Sequence, residues 1–67
     1  MTKIVLNGKE TEIAENITLS KLLENLKISP QMVACEINAK IIRRAQYPQT
    51  PISEGDKIEI LQMIGGG

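Results

Sequence analysis

Sixty-seven residues allow one domain and one core, and a domain of this size buries only about 60% of the surface its unfolded chain exposes. Eight basic and eight acidic side chains cancel, with no block of one sign, which excludes the electrostatic footprint of a nucleic-acid binder. The lack of histidine removes the usual general base near neutral pH, and no apolar run approaches the roughly 20 residues that span a bilayer.

The chain opens on "TKIVLNG", which alternates, with Ile4 and Leu6 on one face and Lys3 and Val5 on the other. Asn7-Gly8 supplies the two residues with φ > 0 that a tight hairpin turn needs, and "KETEIAE" returns as a second strand with Ile13 inward. The period then changes. Leu19, Leu22, Leu23 and Leu26 fall at i, i+3, i+4 and i+7, one stripe of a helix of two to three turns. Thr18 stands where its hydroxyl can cap the first turn, and Pro30 closes off any continuation.

"MVACEINAKII" reads as a strand with Val33, Cys35 and Ile37 on one face, bent at Asn38-Ala39 into a short piece at Ile41-Ile42. "RRAQYPQTPISEGD" carries Pro48, Pro51 and a Glu54-Gly55-Asp56 turn and is expected to be irregular. "KIEILQMI" is the last strand, with Ile58 and Ile60 inward. A lone helical stripe must lie on one face of the sheet, giving an α+β two-layer domain of four or five strands. Leu61 and Met63 then point to the uncovered side, with Val5 expected beside them, as an apolar patch for a partner. Scattered surface hydrophobicity is the plainer account of the same residues.

Cys35 rules out an internal disulfide and suits a reducing compartment, and the N-terminus lacks a secretory h-region, so a cytoplasmic location is expected. Between Val33 and Ile37 on the inward face, its expected role is core packing rather than chemistry. No phosphate-cradling GxxxxGK run and no metal-ligand cluster is evident, so no bound cofactor or metal is expected.

The order hairpin, helix, strand, irregular crossover, strand, followed by Gly65-Gly66-Gly67, is that of the ubiquitin-like β-grasp fold, with the last strand beside the first in mid-sheet. More narrowly, "KIVLNG", "ITLSKLLENL", "VACEINAKIIRR" and "EGDKIEILQMIGGG" resemble the ThiS family of sulfur carriers in thiamine biosynthesis across essentially the whole chain. Family members often place Pro-Arg and then Trp after the third strand, where this chain has Arg43-Arg44 and Tyr47. The small subunit of molybdopterin synthase shares the fold and the Gly-Gly ending and is usually longer.

The resemblance implies a β-grasp domain over residues 1–64 and a flexible glycine tail over 65–67. It implies a protein co-substrate rather than an enzyme. The Gly67 carboxylate would be adenylated with ATP by a ThiF-like partner, then converted to a thiocarboxylate with sulfur from a cysteine desulfurase system. The acceptor would be a ThiG-like thiazole synthase. Gly65 and Gly66 suit entry into a narrow cleft, since they present no Cβ and take backbone angles closed to other residues. Three further readings stay open: a molybdopterin-type carrier, a ubiquitin-like modifier of lysines, and a plain binding module whose glycines are a frayed end.

Overall fold

The computed structural model of the chain describes residues 1–63. Strands β1 (Thr2–Leu6) and β2 (Lys9–Ile13) form the opening hairpin, and helix α1 (Leu19–Asn25) follows. Strands β3 (Val33–Ile37), β4 (Lys40–Ile42) and β5 (Lys57–Gln62) complete one five-stranded sheet in the order β2-β1-β5-β3-β4. Strand β5 is central, parallel to β1 and antiparallel to β3. This is the β-grasp arrangement implied by the resemblance, and the sheet has the larger of the two expected strand numbers.

Both hairpins turn on two residues in the left-handed region. Asn7 and Gly8 take φ of 49° and 83°, and Asn38 and Ala39 take 53° and 71°. This geometry matches the right-handed twist of the flanking strands. Glycine adopts it freely, but Ala39 carries a Cβ that crowds the following carbonyl, at a cost of about 1–2 kcal/mol. Ala39→Gly is therefore expected to raise stability by about 0.5–1 kcal/mol once the greater freedom of the unfolded chain is subtracted. Urea melts of the two chains, read as a midpoint shift at constant slope, measure it.

Helix α1 begins as expected, with Thr18 Oγ1 accepting from the Lys21 N–H at 3.2 Å. Its end differs from expectation. Lys27 turns left-handed at φ 60°, its N–H donates to Glu24 O at 3.0 Å, and the Ile28 N–H donates to Leu23 O at 2.9 Å. These two bonds satisfy the last carbonyls as in a Schellman motif, so the helix stops before Pro30 acts, and Leu26 lies at the exposed cap. Leu19, Leu22 and Leu23 remain as the buried stripe.

The core lies between α1 and one sheet face, built from Ile4, Ile13, Val33, Cys35, Ile37, Ile58 and Ile60 beneath the three leucines. Tyr47 and Ile52 close it from the side. The segment expected to be irregular contains a 3₁₀ helix, Arg44–Gln49, which swings Tyr47 into the core at 3% exposure. Backbone bonds from Leu19 N–H to Thr50 O and from Ile52 N–H to Ile17 O tie this segment to the entry of α1. Arg44 holds its other side, with Nε donating to Pro30 O at 3.0 Å. With one aromatic residue in the chain, Tyr47 supplies bulk that no aliphatic residue nearby replaces.

Tyr47 and Cys35 share a hydrogen bond inside the core. Burial raises the Cys35 thiol above its ordinary value, partly offset by that bond. Burial first, and the Cys35 contact second, push the Tyr47 hydroxyl up to about 12. A raised folded-state value means the fold favours the neutral phenol, so its stability is complete below the unfolded value near 10 and is lost as pH climbs through 12. Cys35 acts in the same direction from its own lower range. The melting temperature is expected to fall steeply between about pH 10 and 12, by the equivalent of about 2 kcal/mol. Absorbance of the single tyrosinate should rise with unfolding rather than before it.

Candidate functional site: the exit of the central strand

Strand β5 runs through the middle of the sheet toward the glycines, and alternation sorts its side chains. Ile58 and Ile60 are buried, while Lys57, Glu59 and Leu61 face the side that α1 does not cover. Leu61 is 57% exposed and Met63 is 44% exposed. On this uncovered face Leu61 lies opposite Ala34 of β3, whose small side chain leaves it standing clear. Ile41, at 75% exposure, extends the apolar surface on β4, opposite Glu36.

A shallow groove of about 340 Å³ crosses the face, lined by Glu36, Ala39, Lys57, Glu59 and Leu61. Glu36 and Glu59 sit directly across from each other on β3 and β5. Like charges so placed repel, and the repulsion weakens when a partner's cation is brought near.

Val5 shares this face but is not brought to Leu61. The parallel register sets Val5 level with Lys57, because β1 turns away at Asn7 before it reaches the level of Leu61. Four residues of β5 separate the two positions, roughly 13 Å along the strand. Leu61 and Met63 are thus the apolar residues at the exit, and Val5 is half-buried farther back. Ile64 and the glycines Gly65, Gly66 and Gly67 lie outside the described residues.

The exit itself is held on both edges. Toward β3, Gln62 pairs with Val33 and the Met63 N–H donates to Met32 O at 2.9 Å. Toward β1, the Asn7 side chain takes over where that strand ends. Its Oδ1 accepts from the Ile60 N–H at 2.7 Å, and its Nδ2 donates to Ile60 O at 3.3 Å. The entry of β5 is built in the same way, with Asn38 Oδ1 accepting from the Lys57 N–H at 3.0 Å and its Nδ2 donating to Asp56 Oδ1.

In the sequence Asn7 reads as a turn former alone, and nothing local distinguishes an asparagine that also reaches a strand 53 residues away. Ile41 did carry a signal, since a strand "KII" must turn one of its two isoleucines outward. Tyr47 fills core space, so it is not the exposed aromatic that a partner would grip. Among the described residues, no helix is long and apolar enough to cross a membrane.

The family model described as "ThiS family" matches residues 4–67. The sulfur carrier protein ThiS of Escherichia coli is 34% identical over 97% of this chain and 98% of its own length. A thiazole synthase of Paramagnetospirillum magneticum is 38% identical over 97% of this chain, which spans 20% of that protein's length. Among solved structures, the thiamine biosynthesis protein ThiS from Geobacter metallireducens superposes with a TM-score of 0.85 at 30% identity, covering 98% of this chain and all of the other. A central strand fixed on both edges, an apolar exit on the uncovered face, and a family match running through Gly67 lead to one conclusion: this chain belongs to the ThiS family.

Proposed function

We propose that this protein carries sulfur as a thiocarboxylate on Gly67 for assembly of the thiazole ring of thiamine. The observation that supports it best is the family match across residues 4–67, which joins the β-grasp body to Gly66-Gly67 without a break. A carboxylate is inert toward nucleophiles because an oxide leaves poorly. In the proposed sequence a Gly67 oxygen attacks the α-phosphorus of ATP in a ThiF-like adenylating enzyme, and pyrophosphate leaves. A cysteine desulfurase system supplies sulfur as a persulfide, whose terminal sulfur attacks the acyl carbon and expels AMP. A thiol reductant then cleaves the S–S bond of the acyl disulfide, leaving the thiocarboxylate and carrying away the other sulfur as a disulfide. The thiocarboxylate is ionised at neutral pH, and its sulfur is a strong nucleophile for the same reason that a thiolate is.

This chain contributes no catalytic group in that scheme. Its body is gripped, its tail enters the partner's cleft, and ATP is bound by the partner. A ThiG-like thiazole synthase as acceptor is favoured by the resemblance to one fifth of a thiazole synthase chain. A carrier sequence lying within such a protein is what close functional pairing of carrier and synthase would produce.

Intact-mass measurement tests the reading. The protein is incubated with the ThiF-like enzyme, ATP, a desulfurase with cysteine, and a thiol reductant. Exchange of one oxygen for sulfur, located in the C-terminal peptide, is the expected result. Heavier conjugates to lysines of other proteins would instead mark a ubiquitin-like modifier, and an unchanged mass would leave only a binding module. Transfer of the sulfur into thiazole by a ThiG-like synthase, and not into a molybdopterin precursor, decides the pathway.

A further inference from the structure

We infer that Asn7 is a positioning residue that sets the direction in which β5 delivers the tail; this rests on the sulfur-carrier reading. Strand β1 supports β5 only as far as Ile58, through the bond from the Asn7 N–H to Ile58 O at 2.8 Å. The chain then turns left-handed at Asn7 and Gly8 and leaves toward β2. The Asn7 amide stands in for the strand that is no longer there, offering Ile60 one acceptor at 2.7 Å and one donor at 3.3 Å. A primary amide is the smallest side chain that presents both groups in the way a peptide unit does. Aspartate lacks the donor and would place a negative oxygen against Ile60 O. Glycine or alanine offers neither group.

Beyond Ile60 no described residue supports that edge, so this pair of bonds is the last restraint on the β1 side before Leu61. Any play at Ile60 is passed on to Leu61, Gln62 and Met63, the described residues from which the tail departs. A carboxylate displaced by about 1 Å in a cleft that must align it with a phosphorus atom can lose about a hundredfold in rate. Asn38 provides an internal comparison. It has the same left-handed turn position and also holds β5 by its side-chain amide, but at the entry, at Lys57. Loss of either clamp weakens the sheet, and only loss of Asn7 removes the β1-side restraint next to the exit, leaving Gln62 and Met63 held by β3 alone.

Asn7→Gly and Asn38→Gly test this, because glycine keeps both turns while removing the amides. Both chains are expected to melt a few degrees lower than the parent. In steady-state adenylation by the ThiF-like enzyme, measured where the parent and all three variants are fully folded, Asn7→Gly should lower kcat about tenfold with KM unchanged within twofold. Asn38→Gly should leave both near the parent values, and Asn7→Asp should fall between. Residual dipolar couplings of the Leu61, Gln62 and Met63 N–H groups should change in Asn7→Gly and not in Asn38→Gly.

Equal kcat in both glycine variants, or unchanged couplings in Asn7→Gly, overturns the inference. If the parent chain itself is not adenylated, the sulfur-carrier reading fails and the rate effect assigned to Asn7 fails with it. The couplings still decide on their own whether Asn7 sets the exit direction.

Discussion

A chain shortened by Gly66 and Gly67 is expected to fold as the full chain does and to accept no sulfur. Among the described residues the buried core reaches no farther along the sequence than Ile60, and the last described backbone bond of the sheet is from Met63 to Met32. Removing the two glycines leaves every described core residue and every described hydrogen bond in place. The melting temperature should therefore stay within about 2 °C, whereas loss of 1 kcal/mol in a domain this small would shift it by about 4–8 °C. The chemical effect is the opposite. The carboxylate now sits on Gly65 and reaches roughly 7 Å less far into the partner. Since about 1 Å of misplacement can cost a hundredfold, activation should fall below detection. Far-UV circular dichroism with a thermal melt reads the first half, and pyrophosphate release with intact mass reads the second. A drop in melting temperature beyond about 5 °C, or sulfur appearing on Gly65, would contradict this account of the tail.

What could be read from the sequence, and what could not, follows from the range of the forces involved. The hairpins, the leucine stripe and the inward set on β5 each rest on contacts whose period lies within one segment, so the pattern of apolar residues carries them. Thr18 was legible as a cap for the same reason, because its bond spans three residues. The register of β1 against β5 was not, since it depends on where two segments more than 50 residues apart come level. That register put Val5 beside Lys57 instead of Leu61.

The burial of Tyr47 is not legible in the sequence because a single aromatic among prolines has no period, and only the gap left by an all-aliphatic core explains it. Lys27 ended the helix in a conformation that lysine seldom takes, so a reader looking for glycine or proline would pass over it. Asn7 is the extreme case. Its local role as a turn former is correct and sufficient, and it hides the second role across the sheet.

Charging the exit should separate gripping the body from aiming the tail. The double substitution Leu61→Glu, Met63→Glu is expected to leave the fold intact, because Leu61 faces away from α1 and both residues are already largely solvated. Surface changes of this kind usually alter stability by less than about 0.5 kcal/mol, with some added repulsion here from Glu59 on the same face. If these two side chains anchor the ThiF-like enzyme, replacing each by a carboxylate removes apolar burial and strands a charge in the interface. Anchor residues lost in this way cost about 2 kcal/mol or more each, so kcat/KM for adenylation should fall at least about a hundredfold. The loss should appear in KM, since the tail and its amide clamp at Asn7 are untouched, whereas removal of that clamp is expected to act on kcat. Ile41→Glu, two strands away on the same face, should cost less than tenfold if the grip is centred on the exit of β5. Normal activation of the doubly charged chain would mean that the partner holds the body elsewhere, and the exposed Leu61 and Met63 would then be ordinary surface.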